Sequence, residues 1–145
     1  VEIHTIGFTK KTAEQFFTLL KDAKIARLMD VRLKNVSQLA GFAKREDLQY
    51  FLREICGCEY LHEPLFAPTQ EMLDQYKKKK GSWPEYEQRF LALMADRRVE
   101  EKIDPSLFSV PTALLCSEPT AEHCHRRLVL DYLRTKWSNI SVRHL

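Results

Sequence analysis

Apolar positions along the chain follow two rhythms: short continuous runs of strand length, and stretches spaced at three and four residues. Residues 1–8 (VEIHTIGF) read as a strand that closes at Gly7. Thr12 and Gln15 then stand at capping-box spacing, and Phe16, Phe17, Leu19, Leu20 and Ala23 form one apolar helix face. Residues 25–32 (IARLMDVR) give a second strand ending in Asp30-Val31-Arg32. After a polar stretch containing Gly41, helical spacing returns at Leu48, Phe51, Leu52 and Ile55, with Gly57 placed to end that helix in a left-handed conformation. Residues 58–62 (CEYLH) are a brief third strand, closed by Pro64.

The middle of the chain predicts helices. Thr69 can cap one with Met72, Leu73 and Tyr76 on a single face, and Lys77 to Lys80 followed by Gly81 suit its C-terminus. Ser82 with Glu85 predicts a second capping box, with Pro84 in the first turn and Phe90, Leu91, Met94 and Val99 along the helix. Residues 110–116 (VPTALLC) form an uninterrupted apolar strand, as in a sheet covered on both faces. A last helix carries Leu128, Val129, Tyr132, Leu133 and Trp137, and residues 139–145 (NISVRHL) read as a fifth strand. Strands alternating with helices predict one α/β domain over residues 1–145. The expected form is a three-layer, Rossmann-like sandwich with a mainly parallel sheet of about five strands flanked by helices.

Composition sharpens this only in places. A chain of 145 residues with 44% hydrophobic content can bury one core without disulfides or metals. No apolar run reaches the roughly 18–20 residues of a membrane span, and no signal-peptide pattern is present, so no membrane partner is expected. Four cysteines sit in two close groups, Cys56/Cys58 and Cys116/Cys124, unlike a disulfide framework, and a reducing, cytoplasmic setting is expected. The net charge of +3 and pI near 8.7 fall short of a dedicated nucleic-acid binder, although nucleic acid stays open as a partner. The sequence leaves the oligomeric state open.

In a parallel sheet, ligands gather outside the carboxyl ends of the strands. The residues expected there are Gly7, Asp30, Arg32, His62, Cys116, Glu118 and His144. Segment 114–128 (LLCSEPTAEHCHRRL) belongs to the same edge. Cys116 ends an apolar strand ahead of a helix N-terminus, which stabilises a thiolate or an anion; as a small buried hydrophobe it would simply pack. Cys124 and His125 fall on the inward side of the helix they open, as core residues or as parts of a site. Asp30 and Arg32, two apart, either pair with each other or present a base and an anion clamp. No cofactor is implied. A metal set of Cys116, Cys124, His125 and Glu118 is conceivable but lacks the C-x2-C spacing of a zinc knuckle. Cys56 and Cys58 are expected to pack, the Lys77–Lys80 run to be a solvated helix end, and Trp83, Tyr86 and Phe90 to be core.

Taken together, TIGFT, LMDVR, LLCSE, CHRRL and the closing VRHL resemble the DUF488 family of uncharacterised proteins. The resemblance spans essentially the whole chain and implies a Rossmann-like α/β sandwich with no established reaction. It carries over Gly7, Asp30, Arg32, Cys116, Glu118, Cys124, His125, Arg126 and His144 as motif residues. Many members follow the third strand with Leu-Gly-Gly; EPLFAPT stands here, so the wall after His62 is expected to differ. A looser likeness to rhodanese-type domains falters because Glu122 occupies the place of a phosphatase arginine. Glu118 adds a second carboxylate, expected to raise a thiol pKa and repel anions. The resulting expectation is a thiol- or carboxylate-dependent hydrolase or transferase, with Cys116, Glu118, Asp30 and His125 in catalysis. Gly7, Arg32, His62, Cys124, Arg126 and His144 would contact a small metabolite, nucleotide or nucleic acid. A noncatalytic nucleotide- or nucleic-acid-binding module and a metal-holding domain are the alternatives.

Overall fold

In a computed structural model that describes residues 1–34, 41–118 and 121–145, five short segments are extended. They are β1 (Glu2–Gly7), β2 (Arg27–Asp30), β3 (Glu59–His62), β4 (Thr112–Cys116) and β5 (Ser141–His144). They form one sheet in the order β3-β2-β4-β1-β5, with every pairing parallel. The register sets Gly7 beside Cys116 and Asp30 between Leu115 and His62, so the strand ends meet at one edge. All five residues of β4 are buried, which is why that strand is a continuous apolar run.

Helices α1 (Ala13–Asp22) and α2 (Arg45–Phe51) cover one face, where Ile6, Leu28, Ala113 and Leu115 meet Phe16, Leu20 and Leu48. On the opposite face lie α3 (Gln70–Lys77), α4 (Trp83–Arg97), the short α5 (Val99–Lys102) and α6 (His125–Lys136). There Ile3, Met29, Leu114 and Cys116 meet Phe90, Met94, Leu128 and Val129. Alternate residues of each strand serve the two cores, the period-2 consequence of the pleat. The expected α/β sandwich with a parallel five-stranded sheet is therefore the fold. Among the described residues no helix is long and apolar enough to cross a membrane.

Local sequence signals explain most helix ends. Thr12 accepts the Gln15 N–H at 3.1 Å while Gln15 Oε1 accepts the Thr12 N–H at 2.9 Å, a complete capping box. Thr12→Ala is expected to lower stability by about 1 kcal/mol, read as a shift of the urea midpoint; an unchanged midpoint would show that packing alone holds α1. Gly57, at φ 59, ends a π-turn over Leu52–Cys56 that continues α2.

Two expectations change. Ser82 accepts from the Glu85 N–H, but the Glu85 carboxylate turns to Arg89, so the box at α4 is only half made. Val99 does not extend α4: Arg98 adopts φ 52, ψ 50 and turns the chain, burying Val99 and Ile103 in the core.

The chain leaves β2 toward β3 at one edge of the sheet and leaves β4 toward β5 at the other. The directions of the connections diverge between β2 and β4, the kind of switch point at which open parallel sheets leave a crevice.

Candidate active site

A cleft of about 380 Å³ opens at that point. Cys116, Cys124 and His125 form part of its lining, with Arg32 and Lys34 following β2 and Tyr76, Trp83, Tyr86 and His123 from the helical side. Cys116 is the last residue of β4, and Cys124 is the N-cap of α6, with extended backbone at φ −137, ψ 139. Both are buried, at 5% and 2% exposure.

His125 fixes the chemistry of this group. Its Nε2 lies 2.7 Å from the carbonyl oxygen of Val31. A carbonyl only accepts, so Nε2 carries a proton. That leaves Nδ1 facing the Cys116 Sγ at 3.5 Å. The ring packs against Phe90 with centroids 5.5 Å apart. A thiol, an imidazole nitrogen and a third group orienting the ring form an arrangement able to hold and move the Cys116 proton.

Charge calls for one ionised sulfur. Arg126, second residue of α6, is 1% exposed; its Nη1 donates to the Glu118 carbonyl at 2.8 Å. Its buried Nε has no hydrogen-bond partner among the described residues. No carboxylate there pairs with it, and the undescribed stretches 35–40 and 119–120 contain no acidic residue. A buried guanidinium of this kind requires a nearby negative charge. Burial opposes ionisation of Cys124. The hydrogen bond from Cys116 and the charge of Arg126 outweigh it, holding that thiol well below its ordinary range. Cys116 is the complementary case: donating to Cys124, and buried besides, it is pushed well above that range. One proton on Cys116 and one negative charge on Cys124 satisfy the pair and Arg126 together.

The ligand atoms of Cys116, Cys124 and His125 lie within 4.8 Å of one another and could hold a metal ion such as Zn²⁺. Two thiolates would then neutralise the ion and leave Arg126 without a counter-charge, so the charge balance favours the metal-free thiol–thiolate pair.

Asp30 and Arg32 are tied to each other. The Asp30 carboxylate, 0% exposed, accepts from Arg32 Nε at 2.9 Å, Arg32 Nη2 at 2.8 Å, the Arg32 backbone N–H at 3.1 Å and the Tyr60 hydroxyl at 2.6 Å. Arg32 also donates to the Ala43 carbonyl at 2.8 Å and lies against the Phe8 ring. His62 Nε2 is 2.8 Å from the Arg32 carbonyl, which accepts its proton.

A family model described as "Domain of unknown function DUF488" matches residues 12–133, which include the cleft cysteines and His125. The chain belongs to the DUF488 family. No curated protein and no solved structure matches it, and the likeness to rhodanese-type domains is not shown.

In this DUF488 protein, five of the ten residues expected at the site line the cleft: Arg32, Cys116, Glu118, Cys124 and His125. The other five do not. Gly7 lies under the Glu118 carbonyl, Arg126 stands behind the thiols, and Asp30 and His62 brace Arg32. His144, on edge strand β5, bonds to the Thr5 hydroxyl. Its exposed position follows from the fifth strand pairing, among the described residues, only with β1.

The carboxylates act differently from expectation. Glu118 pairs with Lys77 at 3.2 Å and Glu122 is exposed; the rise of the Cys116 pKa comes instead from Cys124 and burial. Lys77 is thus part of the cleft rim and not only a solvated helix end. The stretch EPLFAPT forms a 3-10 turn over Pro64–Phe66 that buries Phe66 and sets Pro68 in the cleft wall.

The sequence also pointed elsewhere for some wall residues. Tyr86 and Phe90 are core as expected, but Trp83 is only half-buried, stacked between Tyr86 and His123 at the cleft. His123 was legible only as a histidine adjoining the CHRR motif, and the Val31 carbonyl carries no sequence signal at all. Cys56 and Cys58 pack on the other face, where burial pushes the Cys58 thiol up to about 12.

Proposed function

We propose that this protein is a thiol-dependent enzyme acting on a small molecule held in the cleft between the ends of β2 and β4. The observation that carries the reading is the Cys116–His125 contact at 3.5 Å, with the ring oriented by Val31, beside a helix-capping Cys124 whose charge answers the buried Arg126. In this reading Cys124 is the nucleophile. Cys116 and His125 hold and move the proton, and Arg126 is a positioning residue that keeps Cys124 ionised. Asp30 and His62 fix Arg32 at the cleft wall, and Glu118 with Lys77 sets its rim. A cleft of about 380 Å³ suits a metabolite or single nucleotide better than a nucleic-acid strand. Four free cysteines, two of them in a reactive pair, suit the reducing cytoplasm.

The test is the rate of iodoacetamide labelling of each cysteine in the folded protein as a function of pH. Because its thiol is held down, Cys124 should label at a rate that is already level near pH 7 and falls only as acid protonates it. Its midpoint should lie below the free-thiol value of about 8.5. Cys58, held up by burial, should stay silent throughout. If Cys124 labels only on unfolding, or with an ordinary midpoint, the protein has no such nucleophile.

A further inference from the structure

We propose that Cys124 and Cys116 act as a nucleophile and resolving pair that exchanges two electrons with low-molecular-weight disulfides, a reading that rests on the thiolate centre proposed above. The geometry supplies three reasons. Both sulfurs lie within 4.8 Å of each other, so the approximately 2.05 Å disulfide bond needs a closure of at most about 3 Å. They come from different elements, the end of β4 and the cap of α6, so the bond links strand to helix and is not confined to one turn. His125 Nδ1 faces Cys116, the thiol that must lose its proton in the second step.

The exchange balances as follows. The Cys124 thiolate attacks one sulfur of the substrate disulfide, forming a mixed disulfide and expelling the first thiolate, which takes a proton from water. Cys116 passes its proton to His125 Nδ1 and attacks the Cys124 sulfur. The bond between Cys124 and the substrate sulfur breaks, and the second thiol leaves with the proton from His125. The protein dithiol is oxidised by two electrons and the substrate disulfide is reduced to two thiols. In the oxidised protein Arg126 has lost its counter-charge. The reduced form is therefore favoured, and the protein disulfide is more easily reduced than a structural one.

Cys116 and Cys124 share one tryptic peptide, residues 103–126, because no lysine or arginine intervenes. The full chain is incubated with hydroxyethyl disulfide, quenched in acid, alkylated and analysed by mass spectrometry. The expected product is peptide 103–126 lighter by two hydrogens and carrying no label, restored to two labels by dithiothreitol. Cys116→Ser should stop at a mixed disulfide carrying a 2-hydroxyethylthio group on Cys124, whereas Cys124→Ser should give at least tenfold less of that adduct on Cys116. Separate adducts on both cysteines of the parent protein without an internal bond, or preferential adduct at Cys116, would overturn the pairing. If Cys124 labels with iodoacetamide as a thiolate but no internal bond forms, the pair fails while the thiol reading stands. If Cys124 is inert to both reagents, or a stoichiometric metal blocks them, both readings fail together.

Discussion

Gly7→Ala is expected to be one of the two most damaging single substitutions at the site. A Cβ at residue 7 would sit 1.6 Å from the Glu118 carbonyl oxygen and 3.1 Å from Arg126 Nη1. The first neighbour is backbone, so no side-chain rotation relieves the overlap. The turn after β4 must move, although it is held by the Thr9 N–H bond to the Ser117 carbonyl at 2.9 Å and by Arg126. Overpacking by a methyl group costs about 1–3 kcal/mol where neighbours can give. With backbone in the way, a loss of at least about 3 kcal/mol is expected, measured by urea unfolding. In whatever protein remains folded, displacement of Arg126 should raise the Cys124 labelling midpoint. Gly41→Ala, with nothing among the described residues within 4 Å of the added carbon, is the control and should have little effect. Parental stability in Gly7→Ala would show that the turn is free to shift.

Removal of Asp30 should have a comparable effect for an electrostatic reason. Asp30 and Arg32 are 0% and 5% exposed, and the pair shares two side-chain hydrogen bonds at 2.8 and 2.9 Å. Breaking a buried pair by deleting one partner typically costs about 3–5 kcal/mol, because the remaining charge stays buried without compensation. Asp30→Ala is therefore expected to lose about that much stability. The Asp30→Ala/Arg32→Met double variant should recover most of it, since it removes the stranded charge as well. A double-mutant cycle by urea denaturation measures the coupling. A coupling near zero would mean that Arg32 finds adequate compensation elsewhere, and its place at the cleft wall would not depend on Asp30.

Both predictions concern contacts between segments far apart in the chain, and that is where sequence and structure divide. The capping box at Thr12, the left-handed Gly57 and the uninterrupted β4 were readable because each depends on neighbours within a few residues. The end of α4 was not. Arg98 carries no local signal for a left-handed conformation; it turns there because Val99 and Ile103 gain burial by doing so. The fifth strand was readable as a strand, but its place at the edge beside β1, which puts His144 outside the cleft, comes from sheet order alone.

Alternating strands and helices, with apolar runs of the right length, determined an α/β sandwich and the gathering of polar residues at the carboxyl ends of its strands. Those features follow from periodicity, which acts locally. Segment 114–128 likewise identified itself by composition as the chemical part of the chain. Tertiary structure decided the roles within it. The Val31 carbonyl, distant in sequence, sets the histidine tautomer, and the buried Arg126 with no acidic partner calls for a negative charge beside it. Hydrogen-bond direction and charge balance are properties of groups brought together in space, and spacing along the chain does not encode them.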